Sequence, residues 1–596
     1  MKTFWKIVFG SLLGCLIASV LGFILLISLV GSLGASLETA TSKVPVAAQS
    51  VLRIDANSVV SERGAENFSI QALQGGMGSP VSLYDAVRGI DAAATDPRIK
   101  FIYLQTDDMA VSVSQAEELR TALSRFRESG KPVIAYANNH SMLTYYLASV
   151  ADKVLMNTYG EAYIIGLGTR SLFLKDLLDK VGVEVQLIRH GKYKSAGEMF
   201  ISNHISEANK QQTQAMVDGL WNSMADEICS SRGFSREELD SWISGLEFED
   251  AQSLLDKNLI DTVYHTDEIS DYLCNLAGES DFEKIHFTAL ADYAKSLVNT
   301  GKAKEKIAIL YADGEIVTEG DPERDIVGTK LAAEIAKVRK DSTIKAVVFR
   351  VNSPGGSVQA SEVIRHEIEL LQAAKPVVAS YGDYAASGGY WISSGANKIF
   401  TDNTTLTGSI GVFSMIPNFG GVVSDKLHVG VDFTTSHDHS DMMSGLRKLD
   451  GEEVEYMQES VEKIYDKFVG LVADGRGMPA EKVDEIAQGR VWCGCDALGI
   501  GLVDEKGGLC DAVSYAASMV GLQNYKVEVF PKVKTTMERL MEMFSSTESV
   551  KAFFAEKEPV SAWDQTLMQL EDTYEYLKTS SDAQMMARMP YIYEIR

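Results

Sequence analysis

The chain of 596 residues, with 82 acidic against 56 basic residues and a formal charge of −26, is too long for one compact core and points to two or more domains. Its 45% hydrophobic and 23% charged residues exclude both a disordered chain and a multi-span membrane protein. The acid excess argues against nucleic acid as a partner, because that binding needs basic patches that displace counterions.

At the N-terminus no charged residue stands between Lys6 and Glu38, and residues 7–30 are almost wholly apolar. Crossing a bilayer core takes about 20 apolar residues, so residues 1–34 are expected to form one transmembrane anchor. Lys2 and Lys6 precede the run, and the positive-inside rule keeps them in the cytoplasm. Everything after about residue 34 is then expected on the outer side of the cytoplasmic membrane. Two other readings stay open. Leu12-Leu13-Gly14-Cys15 loosely resembles a lipoprotein cleavage site, and Leu33-Gly34-Ala35 offers small residues for signal-peptide cleavage.

From about residue 50 the chain repeats itself. Asp96-Pro-Arg-Ile-Lys100 matches Asp341-Ser-Thr-Ile-Lys345, and each precedes an apolar run of strand type, 101–104 and 346–349. Lys131-Pro-Val-Ile matches Lys375-Pro-Val-Val, and Ala151-Asp-Lys-Val matches Ala396-Asn-Lys-Ile. Ser231-Arg-Gly matches Gly475-Arg-Gly, and Leu259-Ile-Asp261 matches Leu502-Val-Asp504. The offset stays at about 244 residues throughout, the mark of one duplicated domain. The copies are expected at 50–270 and 303–530, joined by a linker at 271–302 and followed by an amphipathic extension at 531–596.

The first copy carries a basic segment, Arg189-His-Gly-Lys192-Tyr-Lys194-Ser-Ala-Gly-Glu198. The second copy has Ser436-His-Asp-His-Ser-Asp-Met442 in that place and no lysine. Taken alone, Lys194 reads as an ordinary surface lysine. A buried lysine with a lowered pKa is instead a base.

In the second copy, strands are expected at 306–312, 344–351, 376–381 and 398–401, with helices at 329–339 and 357–374 and a short one near Ala386. Strands separated by helices point to a parallel sheet covered by helices. Long helices at 207–229 and 452–473 follow in the two copies, the second with Tyr456, Ile464, Phe468, Val469 and Val472 largely on one face.

Two loops of the second copy carry the chemistry. Asn352-Ser-Pro-Gly-Gly-Ser357 lies between a strand and a helix, where glycines let backbone approach a ligand and N–H groups aim at an anion. Taken alone, Pro-Gly-Gly reads as a plain strand-to-helix turn. Asp383-Tyr-Ala-Ala-Ser387-Gly-Gly-Tyr-Trp391 follows a strand and opens a short helix. Ser387 there is either a helix cap or a nucleophile beside N–H donors for an oxyanion. The first copy shifts the balance toward a nucleophile: its matching loop is Asn139-His-Ser-Met-Leu143-Thr-Tyr-Tyr146, with Leu143 set against Ser387, and Thr106-Asp-Asp-Met-Ala110 replaces the glycine loop. One copy keeps a serine and the other keeps a lysine, which suggests a composite Ser/Lys pair across the interface between halves.

Six cysteines make no disulfide framework in a chain this long, and Cys493-Gly-Cys495 lacks the second pair that a zinc site needs. No metal or cofactor is expected. Beyond residue 530 the chain turns Met-rich and amphipathic, suited to packing on the core or on a neighbouring subunit.

Jointly, Asn352-Ser-Pro-Gly-Gly-Ser-Val, Gly382-Asp-Tyr-Ala-Ala-Ser-Gly-Gly-Tyr-Trp, Leu406-Thr-Gly-Ser-Ile-Gly-Val and Tyr193-Lys-Ser-Ala resemble the long, duplicated form of the signal peptide peptidase A family. The resemblance spans nearly the whole chain. It implies an α/β fold, a tandem duplication of a Clp protease/crotonase-like domain of repeated β-β-α units, preceded by one N-terminal transmembrane helix. It implies a membrane-bound Ser/Lys peptidase at the bacterial inner membrane that degrades remnant signal peptides, and a homotetramer. Carried over, Ser387 is the nucleophile, Lys194 the general base and Ser409 the residue orienting the lysine. Backbone N–H groups of Gly356 and Gly388 form the oxyanion hole. Met199 and Cys493-Gly-Cys495 depart from the family's usual proline and Thr-Gly-Gln. Three competing readings are a crotonase-like acyl-CoA enzyme, a Ser/His peptidase using His437 or His439, and a membrane-tethered peptide-binding scaffold.

Overall fold

A computed structural model describes residues 46–63 except 57 and 59, then 81–297, 303–532 and 585–589. The expected anchor at 1–34, part of the expected linker and most of the expected C-terminal extension lie outside the described residues. Among the described residues no helix is long and apolar enough to cross a membrane.

Each half is built on a mostly parallel sheet. In the first, the strand order is Thr262–Tyr264, Lys153–Asn157, Val133–Ala137, Ile99–Gln105, Ser50–Ile54, Phe287–Ala289. The second is ordered Val491–Cys493, Leu406–Gly408, Val377–Ala386, Ile344–Ser353, Lys306–Asp313, Lys526–Phe530, with Lys398–Thr401 also paired to Val377–Ala386. Central strands such as Ile344–Ser353 are apolar on both faces because helices cover both sides of a parallel sheet.

The duplication is written into matching bonds. Lys131 Nζ donates to the carbonyls of Ala93 and Asp96 at 2.8 and 2.6 Å, and Lys375 donates to those of Val338 and Asp341. Arg232 meets Asp261 at 3.0 Å, as Arg476 meets Asp504 at 2.5 Å. Tyr145 donates to the Leu259 carbonyl at 2.8 Å and Tyr390 to that of Leu502 at 2.7 Å. This last pairing sets Met142, rather than Leu143, opposite Ser387, because the chain between repeats lengthens by one residue before this point. Both are apolar, so the first copy lacks the hydroxyl either way.

The long helix of the second half runs Gly451–Arg476 and buries Met457, Val461, Tyr465, Phe468, Val469 and Val472. Tyr456, expected on that face, is 65% exposed. One residue turns the helix by about 100°, so the stripe passes through Met457 instead.

The halves are joined through the helix Val113–Glu128, opened by a capping box between Ser112 and Gln115. Ser114 donates to Asp383 Oδ1 from both N–H (3.2 Å) and Oγ (2.9 Å). Glu117 accepts from the Thr404 N–H and hydroxyl at 3.0 and 2.8 Å. Arg350, fully buried in the strand Ile344–Ser353, is held by Glu62 at 2.9 Å and Glu118 at 2.8 Å from the first half. A cation there needs partners supplied with it, so this ionic knot fixes how the halves dock.

A third sheet carries the junction further. Its order is Ile326–Val327, Ile316–Val317, Gly355–Ser357, Met585–Arg588, Val412–Asn418, Glu184–His190. The strand Glu184–His190 of the first half runs antiparallel to Val412–Asn418 of the second, from Glu184 opposite Asn418 to His190 opposite Val412.

Candidate active site

That register explains the site. Lys194 follows closely after His190 and Ser409 precedes Val412 closely, so pairing His190 with Val412 delivers both to one corner. Lys194 Nζ lies 2.7 Å from Ser387 Oγ, 3.0 Å from the Ser409 carbonyl and 3.1 Å from Ser409 Oγ. All three residues are fully buried. Burial holds the Lys194 amine well below its ordinary value of 10.5, since charging it there forfeits hydration. Among the described residues no carboxylate pairs with it.

Ser387 sits where the strand Val377–Ala386 turns into the helix Gly388–Trp391. Its backbone, at φ 56° and ψ −113°, is one that residues with a side chain rarely adopt. Such strain, of order 1–3 kcal/mol, persists only where the surroundings enforce it. Here the Ser387 N–H donates to the Gly408 carbonyl at 2.8 Å, and Trp391 N–H returns to the Ser387 carbonyl at 2.8 Å. Ser409 is also left-handed, at φ 49°, with its N–H on the Arg490 carbonyl at 2.7 Å. Both hydroxyl residues that face the lysine are thus held from the backbone.

The glycine strand Gly355–Ser357 lies beside the turn. Gly356 has φ +153°, and a Cβ there would collide with the Ile316 carbonyl. Gly388 N lies 2.7 Å from where a Cβ on Gly355 would stand, so the two backbone segments close to direct contact. The structure therefore brings Ser387, Lys194, Ser409, Gly356 and Gly388 to one place. Chemically, it sets a buried amine against a hydroxyl, with glycine backbone alongside.

The alternative bases are elsewhere. His437 and His439 are on an exposed loop, hydrogen-bonded to Ser436 at 2.9 Å and Glu453 at 3.1 Å. Sequence reasoning missed the residues that seat the lysine. Tyr193 N–H donates to the Gln488 carbonyl at 2.8 Å, and Gly489, at φ +75°, packs so closely that a Cβ would stand 2.7 Å from the Lys194 N and Cβ. Gln212, on the helix Glu207–Arg232, donates to the Tyr193 carbonyl at 3.1 Å and accepts from Val491 N–H at 3.0 Å. Gln-Gly in an otherwise ordinary loop was the one signal available for Gln488 and Gly489. Cys493 is buried, with its thiol toward the Met216 carbonyl at 3.4 Å.

A groove runs past Ser387 between Gly355–Ser357 and Val412–Asn418, and the segment Met585–Arg588 lies in it as an antiparallel strand bonded to both. Met216, Leu220, Leu406 and Val491 cluster at one end, and Phe200, Phe413 and Met415 at the other. Its walls are apolar.

Known proteins match this arrangement. The model of Peptidase family S49 fits residues 125–278 and again 369–523, one match holding Lys194 and the other Ser387. Protease 4 of Salmonella typhi is 35% identical over 525 residues, covering 85% of this chain and 84% of its own. Serine protease SPPA, chloroplastic, of Arabidopsis thaliana is 32% identical over 446 residues, covering 74% of this chain and 66% of its own. Among solved structures, a ClpP1 mutant from Listeria monocytogenes overlaps 34% of this chain and 94% of its own at a TM-score of 0.24 and 16% identity. An overlap that slight leaves the fold to the topology above. With its domain matched twice and Protease 4 aligned over most of both lengths, the chain belongs to peptidase family S49 in duplicated form and is a serine peptidase.

Proposed function

We propose that the chain is a membrane-anchored endopeptidase with a Ser387–Lys194 dyad, which degrades remnant signal peptides and other apolar peptides outside the cytoplasmic membrane. The observation that carries this reading is the buried Lys194 amine 2.7 Å from Ser387 Oγ. A neutral amine has two N–H donors and one lone pair. Ser409 O and Oγ take the donors, which leaves the lone pair for the Ser387 hydroxyl proton.

The reaction then follows from the geometry. Ser387 Oγ attacks a peptide carbonyl while Lys194 takes its proton, and the oxyanion is held by Gly356 and Gly388 N–H. Lys194 returns the proton to the leaving amine, and water hydrolyses the acyl-enzyme by the same route. Ser409 is a positioning residue, since it acts through Lys194.

The apolar groove with two strand edges supports extended, apolar peptides as substrates. A relative from Enterococcus faecium is named putative signal peptide peptidase SppA, which supports the same class. The apolar run at 7–30 supports the anchor and the outward-facing site. The homotetramer rests on the family resemblance alone.

The test is cleavage of a fluorogenic apolar peptide by the whole chain, with Ser387→Ala and Lys194→Met as folded controls. Activity in the parent and loss of about 10²–10⁴-fold or more in both variants is expected. Full activity in Lys194→Met would place the base elsewhere.

A further inference from the structure

The strand that leads to Ser387 runs out of step with its neighbour. Val351 pairs with Tyr381 but Ser353 pairs with Ala385, so two steps along one strand answer four along the other. The surplus is a bulge at Gly382-Asp383-Tyr384, of the kind that re-aims a strand beside a site. Past the bulge, the new register brings Gly355 against the Ala386 carbonyl and Gly388 N. The bulge therefore sets where the glycine backbone meets the nucleophile turn. A slip of one residue between these strands would part them by about 3.3 Å.

One side chain braces the bulge. Asn352 Oδ1 accepts from the Tyr384 N–H at 3.2 Å, and Asn352 Nδ2 donates to Asp313 Oδ1 at 3.0 Å. Gly382 closes on the same amide, since a Cβ there would stand 3.1 Å from Asn352 Cβ, Cγ and Oδ1. Asp313 lies opposite Asn352 on the next strand. Loss of hydration pushes its carboxyl up to about 6, so at neutral pH it is ionised and only accepts. That leaves the amide one orientation, with its oxygen toward Tyr384. The first half keeps a similar brace. Asp107, at the position of Asn352, accepts from the Asn138 and Asn139 N–H groups at 2.8 and 3.0 Å. In sequence, Asn57 follows Ile54 as Asp313 follows Leu310, so the two residue types are exchanged between the copies.

We propose that Asn352, oriented by Asp313, is a positioning residue: it locks the bulge at 382–384 and so sets Ser387 against the Gly356 and Gly388 N–H groups. This rests on the oxyanion hole proposed above. Asn352 acts through the bulge and touches no substrate. Peptide binding along the strand edges does not depend on it, so its loss falls on kcat and spares KM.

The test compares kcat per folded chain, KM and urea unfolding of the whole protein on a fluorogenic apolar peptide. Asn352→Asp keeps an acceptor for Tyr384 but sets two carboxylates together, and Asp313→Asn frees the amide to turn over. Each is expected to lower kcat by about 10- to 10²-fold at unchanged KM, since misplacement by about 1 Å is worth roughly 10²-fold. Asn352→Asp combined with Asp313→Asn restores both hydrogen bonds with donor and acceptor reversed. That double variant is expected to return kcat to within about threefold of the parent. Where a single variant fails to fold, the folded double variant decides by its own kcat. Single variants with the parent's kcat, or a double variant that regains stability without kcat, overturn the positioning role and leave the function standing. A parent that cuts no peptide overturns both.

Discussion

Gly489 touches no substrate in this account, yet Gly489→Ala is expected to disable the site through Lys194. At φ +75° an alanine adopts a left-handed backbone, which costs about 1–2 kcal/mol. Its Cβ would also stand 2.7 Å from the Lys194 N and Cβ and 2.8 Å from its Cα. None of these atoms can rotate away, so overpacking adds about 1–3 kcal/mol unless the 191–194 loop moves. Movement relieves the clash by drawing Nζ off Ser387 Oγ, and misplacement by about 1 Å is worth roughly 10²-fold in rate. The control is Gly477→Ala, at φ +62° with open space around it, which carries the backbone cost without the clash. Urea unfolding and kcat on a fluorogenic apolar peptide read both effects. Gly489→Ala should lose about 2–5 kcal/mol and about 10²-fold in kcat, with Gly477→Ala losing about 1–2 kcal/mol and no kcat. Equal kcat in the two variants would refute the claim that Gly489 seats the lysine.

Ser409→Ala removes one acceptor from Lys194 and leaves the Ser409 carbonyl, so kcat should fall about tenfold at unchanged KM; steady-state kinetics separate the two. Arg350→Met leaves Glu62 and Glu118 buried without their cation and should cost about 3–5 kcal/mol in urea unfolding. Adding Glu118→Gln should restore part of that loss if the three residues form one knot. Lys194 also links stability to pH. Its folded pKa is lowered, so between that value and 10.5 the unfolded chain binds more protons and stability rises with pH. The slope, up to about 1.4 kcal/mol per pH unit, should vanish in Lys194→Met when unfolding is measured across that window.

Much of the second half's layering was legible because its strands are near-continuous apolar runs and its helices keep a helical period. The strand Lys398–Thr401 has the expected bounds, and the others differ at their ends, as Val377–Ala386 does by continuing up to the nucleophile turn. Ser387 and Lys194 stood out because each copy has lost what the other retains. Gln488, Gly489 and Gln212 did not, since the contacts of Gln488 with Tyr193, Gly489 with Lys194 and Gln212 with Val491 span about 280 to 295 positions of sequence and no chemistry marks them. Arg350 was visible as a lone charge in Ala-Val-Val-Phe-Arg-Val, but its partners come from the other half. The Met-rich tail looked amphipathic and suited to packing on a surface. Its described part is instead a strand, because the groove supplies two unpaired edges that no reading of the tail alone could reveal.

The central claim is that a buried, neutral Lys194 activates Ser387. The most direct measurement is the rate at which a serine-directed phosphonate probe labels Ser387, followed by peptide mass mapping from neutral to alkaline pH. The account predicts labelling on Ser387 that falls about tenfold per pH unit below a lysine pKa lying under 10.5, and no labelling in Lys194→Met. Labelling of Lys194→Met at the parent's rate, with the parent's pH profile, would contradict it.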